Sequence, residues 1–112
     1  MSYRKILYQS KTKFNDLLVV QESNLITLYS PPTIRQTAVD VDNAAMSHLE
    51  YTQNILSGLV FTQNPETILV LGLGGGAIPM MLTNVNKLFS IDIVEIDPEI
   101  ASVAQKYFHF NT

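Results

Sequence analysis

The stretch Thr67-Ile-Leu-Val-Leu-Gly72-Leu-Gly74-Gly75-Gly76-Ala-Ile78 decides the fold. Residues 68–71 are a short, wholly apolar run, the pattern of a strand buried on both faces of a parallel sheet. Three glycines follow at Gly72, Gly74 and Gly76. Glycine takes positive φ and leaves no Cβ between backbone and ligand. A helix is expected over 77–85, with Pro79 tolerated in its first turn. About twenty residues beyond the turn, the strand expected over 89–95 ends in Ile93-Val94-Glu95-Ile96-Asp97-Pro98. Strand, glycine turn, helix, and a second strand with a terminal acid have the spacing of a nucleotide-binding βαβ unit. A ligand there sits against backbone at the strand's carboxyl end, beside a helix N-terminus. Glu95 is placed to accept hydrogen bonds from two ribose hydroxyls. The pattern predicts an adenosine-containing small molecule.

Reading outward, Asp97 caps a last helix and Pro98 takes its first position, where a missing N–H costs nothing. Ile100, Val103, Ala104, Tyr107 and Phe108 make one apolar helix face. Upstream, a helix is expected over 43–62, capped by Asp42, with Ala45, Leu49, Leu56 and Leu59 as its stripe, broadened by Ile55 and Val60. Pro65 marks its exit. Residues 3–9, 16–21, 25–29 and 36–41 read as strands. Glu22-Ser23-Asn24 is short and polar, as a hairpin turn should be, and Pro31-Pro32 stops the second arm. The strands at 16–21 and 25–29 offer edges that could pair across a dimer. The expected fold is α/β. A small N-terminal β-hairpin domain, residues 1–42, precedes the first βαβ unit of a Rossmann-like domain, residues 43–112. A doubly wound sheet normally has about six strands, and two parallel strands are read here. The sequence therefore reads as a truncated piece of a longer protein, or one whose sheet a partner completes.

Composition narrows the function. The chain has 112 residues, 46% hydrophobic and 15% charged, which is globular. It has no cysteine, which excludes disulfides, zinc–thiolate sites and a cysteine nucleophile. His48 and His109 are far apart without ligand spacing, so no metal is expected. The net charge of −3 argues against a nucleic-acid partner. Arg4, Lys5, Lys11 and Lys13 read as a solvated hairpin edge. No leader-like or membrane-length apolar run is present, so a cytoplasmic setting is expected.

The strings LVLGLGGGAIPMML and IDIVEIDPEIASVAQKYF resemble the spermidine synthase family of aminopropyltransferases, in particular its spermidine-synthase-like branch. A small β domain ahead of an S-adenosylmethionine-methyltransferase-like sheet is also that family's layout. The resemblance covers essentially the whole chain and only the N-terminal part of a full-length member. It implies transfer of an aminopropyl group from decarboxylated S-adenosylmethionine to putrescine, releasing 5′-methylthioadenosine. It implies no metal, and a homodimer whose contacts the β-rich segment helps to form. By this resemblance Gly72, Gly74 and Gly76 belong to the nucleoside-binding turn, together with Gly75. Glu95 matches the ribose-binding acid. Gln36 resembles a donor-contacting glutamine at the active-site entry, and also reads as an ordinary polar strand residue.

Three departures separate the chain from an active member. The family's turn usually has an aspartate, which helps bind the donor's amino end, where this chain has Gly75. The family's Asp-Glu…Tyr-His-Glu stretch has no clean match, because His48, Glu50 and Tyr51 stand at the wrong spacing. Next to the Leu49 stripe, His48 and Glu50 read as surface or interface residues. The family's acidic segment that deprotonates the attacking amine lies beyond Thr112. Amine attack on carbon next to a sulfonium needs a carboxylate base. The ten Asp and Glu residues show no convergent cluster in sequence. The catalytic residues are therefore unknown, and the chain alone is expected not to be a competent catalyst. Three other readings stay open: an S-adenosylmethionine-dependent methyltransferase, a non-catalytic binding or oligomerisation module, and a NAD-type fragment, whose Gly-x-Gly-x-x-Ala count fits.

Overall fold

The computed structural model of the chain describes residues 3–47 and 49–112. Five antiparallel strands come first: β1 (Arg4–Lys11), β2 (Asp16–Glu22), β3 (Leu25–Tyr29), β4 (Arg35–Asp40) and β5 (Asn43–Ser47), paired in sequence order. The β2–β3 hairpin closes over Ser23 and Asn24, with Ser23 at φ 52°. A short helix α1 (Glu50–Leu56) runs into a 3-10 turn over Ser57–Phe61. Then β6 (Thr67–Leu71), α2 (Ala77–Val85), β7 (Ser90–Val94) and α3 (Pro98–Tyr107) change the architecture from a meander to a parallel βαβα run. The α/β expectation holds, with an antiparallel hairpin sheet ahead of a Rossmann-like parallel pair.

Three expectations are corrected. The helix expected over 43–62 begins only at Glu50, because Asn43–Ser47 extends and pairs with β4 (Val39 with Ser47, Asp40 with Asn43). Asp42 therefore sits in the β4–β5 turn and caps nothing; the α1 N-cap is Leu49, without a side-chain cap. Leu49 is buried, but Ile55 and Val60 are exposed, and the buried residue within α1 is Thr52. Secondly, β2 and β3 are interior strands flanked by β1 and β4, so the sheet's free edges are β1 and β5. Thirdly, β6 is covered on one face only: Val70 is buried, while Leu69 and Leu71 are 62% and 75% exposed. The described helices cover one side of the β6–β7 pair. His48 lies outside the described residues; Glu50 is exposed, as expected.

One core joins both sheets. Leu17, Val19, Ile26, Leu28 and Val39 from the antiparallel sheet pack with Leu73, Ala77, Ile100, Val103, Ala104, Phe108 and Phe110. The strand residues alternate as the pleat requires, and the helix residues recur three and four apart. Polar bonds reinforce this seam at the start of α3. Asp97 is 2% exposed. Its Oδ1 accepts from the Glu99 N–H at 3.0 Å, which is the expected cap. Its Oδ2 accepts from Thr12 Oγ1 at 2.6 Å and Asn15 Nδ2 at 2.7 Å, both in the β1–β2 connection. Two residues on, Glu99 accepts from Tyr8 Oη at 2.6 Å and Ser10 Oγ at 2.9 Å. That bond to the Glu99 carboxylate raises the Tyr8 phenol above its ordinary value. Burial pushes the Asp97 carboxyl upward, but the bonds from Thr12, Asn15 and the Glu99 N–H outweigh it and leave it below its ordinary value.

Two stability outcomes follow from this packing. Phe108 is fully buried, so Phe108→Ala should lower the unfolding free energy in urea by about 3–5 kcal/mol. Val60→Ser, at an exposed position, should change it by less than about 0.5 kcal/mol. Because the folded Asp97 carboxyl is depressed, its ionised contribution is present above the unfolded value of about 3.9. It is lost as pH falls through the lower folded value. The stability gap between the wild type and Asp97→Asn should stay flat near neutral pH and narrow as pH drops below about 4. A gap that widens in acid would contradict this.

Candidate functional site

Three glycines in the turn hold left-handed conformations: Gly72 at φ 89°, Gly74 at φ 56° and Gly76 at φ 84°. An L side chain is strained at each, which is why glycine recurs here. The turn is held from several sides. The Gly72 N–H donates to the Val94 carbonyl at 2.8 Å, tying the turn to the end of β7. The Gly76 N–H donates to the Leu73 carbonyl at 3.0 Å and begins α2. The Gly75 N–H donates to Thr37 Oγ1 of β4 at 2.9 Å.

Glu95 stands just past β7, half-buried and facing the turn. Its Oε1 accepts from the Leu73 N–H at 2.8 Å and its Oε2 from the Asp97 N–H at 3.0 Å. The carboxylate thus bridges the turn and the strand end. A carboxylate has about four lone-pair positions; these two bonds leave acceptor capacity on both oxygens.

A cavity of about 350 Å³ opens at this point, within the range of small-molecule sites. Gly72, Gly74, Glu95 and Gln36 all line it, so four of the expected site residues converge. Gly75 and Gly76 do not line it. A Cβ on Gly76 would lie 2.7 Å from the Phe110 ring, and one on Gly75 would lie 2.7 Å from Thr37 Cγ2. These two glycines form the packed back of the turn. The Gln36 carboxamide donates to the Ser30 carbonyl at 2.8 Å, and the Gln36 carbonyl accepts from the Tyr51 hydroxyl. Gln36 therefore shapes the cavity mouth through its main chain as well as its side chain. Burial raises the Tyr51 phenol above its ordinary value, so it stays a neutral donor near pH 7.

Sequence reasoning passed over Thr37, Asn15 and Phe110. Thr37 is 3% exposed and lines the cavity, as does Asn15. Strand alternation points Thr37 inward together with Val39; a hydroxyl at an inward position was the available signal. A more open hollow of about 570 Å³ lies between α2, β7 and residues 109–112, without the turn or Glu95. Among the described residues, no group of three or more His, Cys, Asp or Glu converges as a metal site would. No described helix is long and apolar enough to cross a membrane.

No family model matches the chain. A polyamine aminopropyltransferase of Vibrio vulnificus is 29% identical over 109 residues, covering 94% of this chain and 36% of the relative. The mouse eEF1A lysine and N-terminal methyltransferase is 38% identical over 69 residues, covering 55% of this chain and 10% of the relative. Among solved structures, human methyltransferase-like protein 13 in complex with SAH aligns with a TM-score of 0.53 and 34% identity. That alignment covers 56% of this chain and 32% of the human one. The chain thus spans little more than a third of the length of the Vibrio relative. Along nearly all of its length it is similar to the polyamine aminopropyltransferases, the spermidine synthase family, and along about half of it to methyltransferases.

Proposed function

We propose that the cavity between the glycine turn and Glu95 binds the adenosyl part of an S-adenosylmethionine-type donor. The observation that carries this reading is the placement of Glu95. Its carboxylate is fixed by two backbone N–H groups beside a Cβ-free turn, and keeps lone pairs for two ribose hydroxyls. Gly72 and Gly74 let the ribose approach the backbone. Gly75 and Gly76 support that turn from behind. Tyr51 and Ile78 supply apolar walls for a flat base. The SAH bound to the human structural relative supports the same ligand class.

In this reading the chain is the donor-binding part of a spermidine-synthase-like transferase of the cytoplasm. Its family reaction is aminopropyl transfer to a polyamine, and its base is supplied from outside these 112 residues. Methyl transfer is the second reading, favoured by the 38% and 34% identities to methyltransferases. Homo-oligomers, in this reading, form along the β1 or β5 edge.

The test is a calorimetric titration of the chain with 5′-methylthioadenosine. Binding should weaken by about ten- to a hundredfold in Glu95→Gln, which loses charge but keeps shape, and further in Glu95→Ala. Circular dichroism checks that both variants remain folded. A folded wild-type chain that binds no 5′-methylthioadenosine overturns the reading.

A further inference from the structure

The buried Asp97 carboxylate reaches the cavity lining without lining the cavity itself. The link is Asn15. An ionised carboxylate has lone pairs and no proton to give. The Asn15 carboxamide must therefore turn its NH2 group toward Asp97, and its Nδ2 donates to Oδ2 at 2.7 Å. This leaves the Asn15 Oδ1 for the Ser30 hydroxyl, which donates to it at 3.2 Å. The Ser30 carbonyl in turn accepts from Gln36 Nε2 at 2.8 Å. A carbonyl cannot donate, so the Gln36 NH2 is turned to Ser30 and its Oε1 is kept as an acceptor. Asn15, Ser30 and Gln36 are half-buried and line the cavity that also holds Glu95. The buried charge dictates the direction of the first two bonds in this row, and the third hangs from the same Ser30.

The main chain at Asn15 is held separately. Its N–H donates to Thr12 Oγ1 at 2.9 Å, and its carbonyl accepts from the Thr12 N–H at 2.8 Å. These bonds do not need a charge at position 97. What needs the charge is the flip of the carboxamide. Asparagine at position 97 isolates that flip. Asparagine is as good an N-cap as aspartate. It keeps an oxygen for the Glu99 N–H and its own N–H for Glu95. Its NH2, however, would face the Asn15 NH2, donor against donor. Asn15 would then flip, give its Oδ1 to residue 97 and meet Ser30 with an NH2. The Ser30 hydroxyl would have to accept, and the polarity of the row would reverse.

We infer that Asp97 is a positioning residue of the cavity. By fixing the flip of Asn15 it decides, before any ligand arrives, which lining atoms donate and which accept. Asn15 keeps one N–H and one lone pair beyond these bonds. An adenosyl group carries donors and acceptors at fixed places, and a mismatched pair in a partly dry site is costly. The inference rests on the adenosyl-site reading and adds to it a residue that does not touch the ligand.

The test is a double-mutant cycle on the 112-residue chain, read by calorimetry with 5′-methylthioadenosine. Asp97→Asn should bind about tenfold more weakly than wild type. In an Asn15→Ala background the same substitution should cost less than about twofold, because no carboxamide is left to flip. Its cost in urea unfolding should persist in both backgrounds, since Thr12 still loses its charged partner. A merely structural role would carry the tenfold binding loss into both backgrounds, and that result overturns the inference. A folded Asp97→Asn that binds like wild type also overturns it, while leaving the adenosyl site standing. A folded wild type that binds nothing overturns the adenosyl reading, and the inference with it. Should Asp97→Asn fail to fold, nuclear magnetic resonance of the wild type decides. One Asn15 side-chain amide proton should exchange slowly before ligand is added, and the pair should shift as 5′-methylthioadenosine saturates. Protons that exchange freely in the ligand-free chain, or that ignore the ligand, overturn the inference.

Discussion

The buried Asp97 carboxylate is the point on which the rest of the molecule turns. It gathers a backbone N–H from α3 and two side chains from the β1–β2 connection. The two sheets meet at that point. Asp97 also follows Glu95 by two residues, and its own N–H holds one Glu95 oxygen. Asn15, which it grips, lines the cavity and accepts from the Ser30 hydroxyl. A single charge thus caps a helix, joins the two sheets and orients the neighbouring acid. Its surroundings are dense enough in donors to keep it ionised despite burial.

What the sequence discloses is what local chemistry determines. The glycine turn, the flanking strands, α2 and the Asp97–Pro98 start of α3 are encoded within a few residues of each other, and all stand where expected. Glu95 follows from strand-end position, and it meets the turn. The failure over 43–62 has a tertiary cause. An apolar stripe with helical spacing does not resist pairing when a strand edge is at hand, and β4 supplies one to residues 43–47. The strands at 16–21 and 25–29 were correct as strands, but their place inside the sheet depends on β1 and β4. Thr37 is legible only as an inward hydroxyl, and its partner is hidden for the same kind of reason. Its partner Gly75 lies 38 residues away, and nothing local in Arg35–Asp40 marks one threonine as the neighbour of a turn.

The glycines of the turn illustrate two separate physical demands behind one residue type. At Gly72, Gly74 and Gly76 the backbone angle requires glycine. At Gly75 the neighbours do. A run of identical letters therefore carries two messages. One concerns the path of the chain, and the other the space left behind the turn. The former is common to nucleotide-binding turns in general. The latter is particular to this chain's Thr37 and Phe108.

The packing behind the turn makes its shape depend on residues more than thirty positions away. The Phe110 ring lies against Gly76 and the Phe108 ring against Gly75. Both aromatics belong to the core that seats the antiparallel sheet. A nascent chain that has released only its strands and α2 would have the glycines but no floor beneath them. The turn is backed only where Phe108 and Phe110 are docked against it. The shape of the turn is therefore a property of the closed core rather than of the glycines alone.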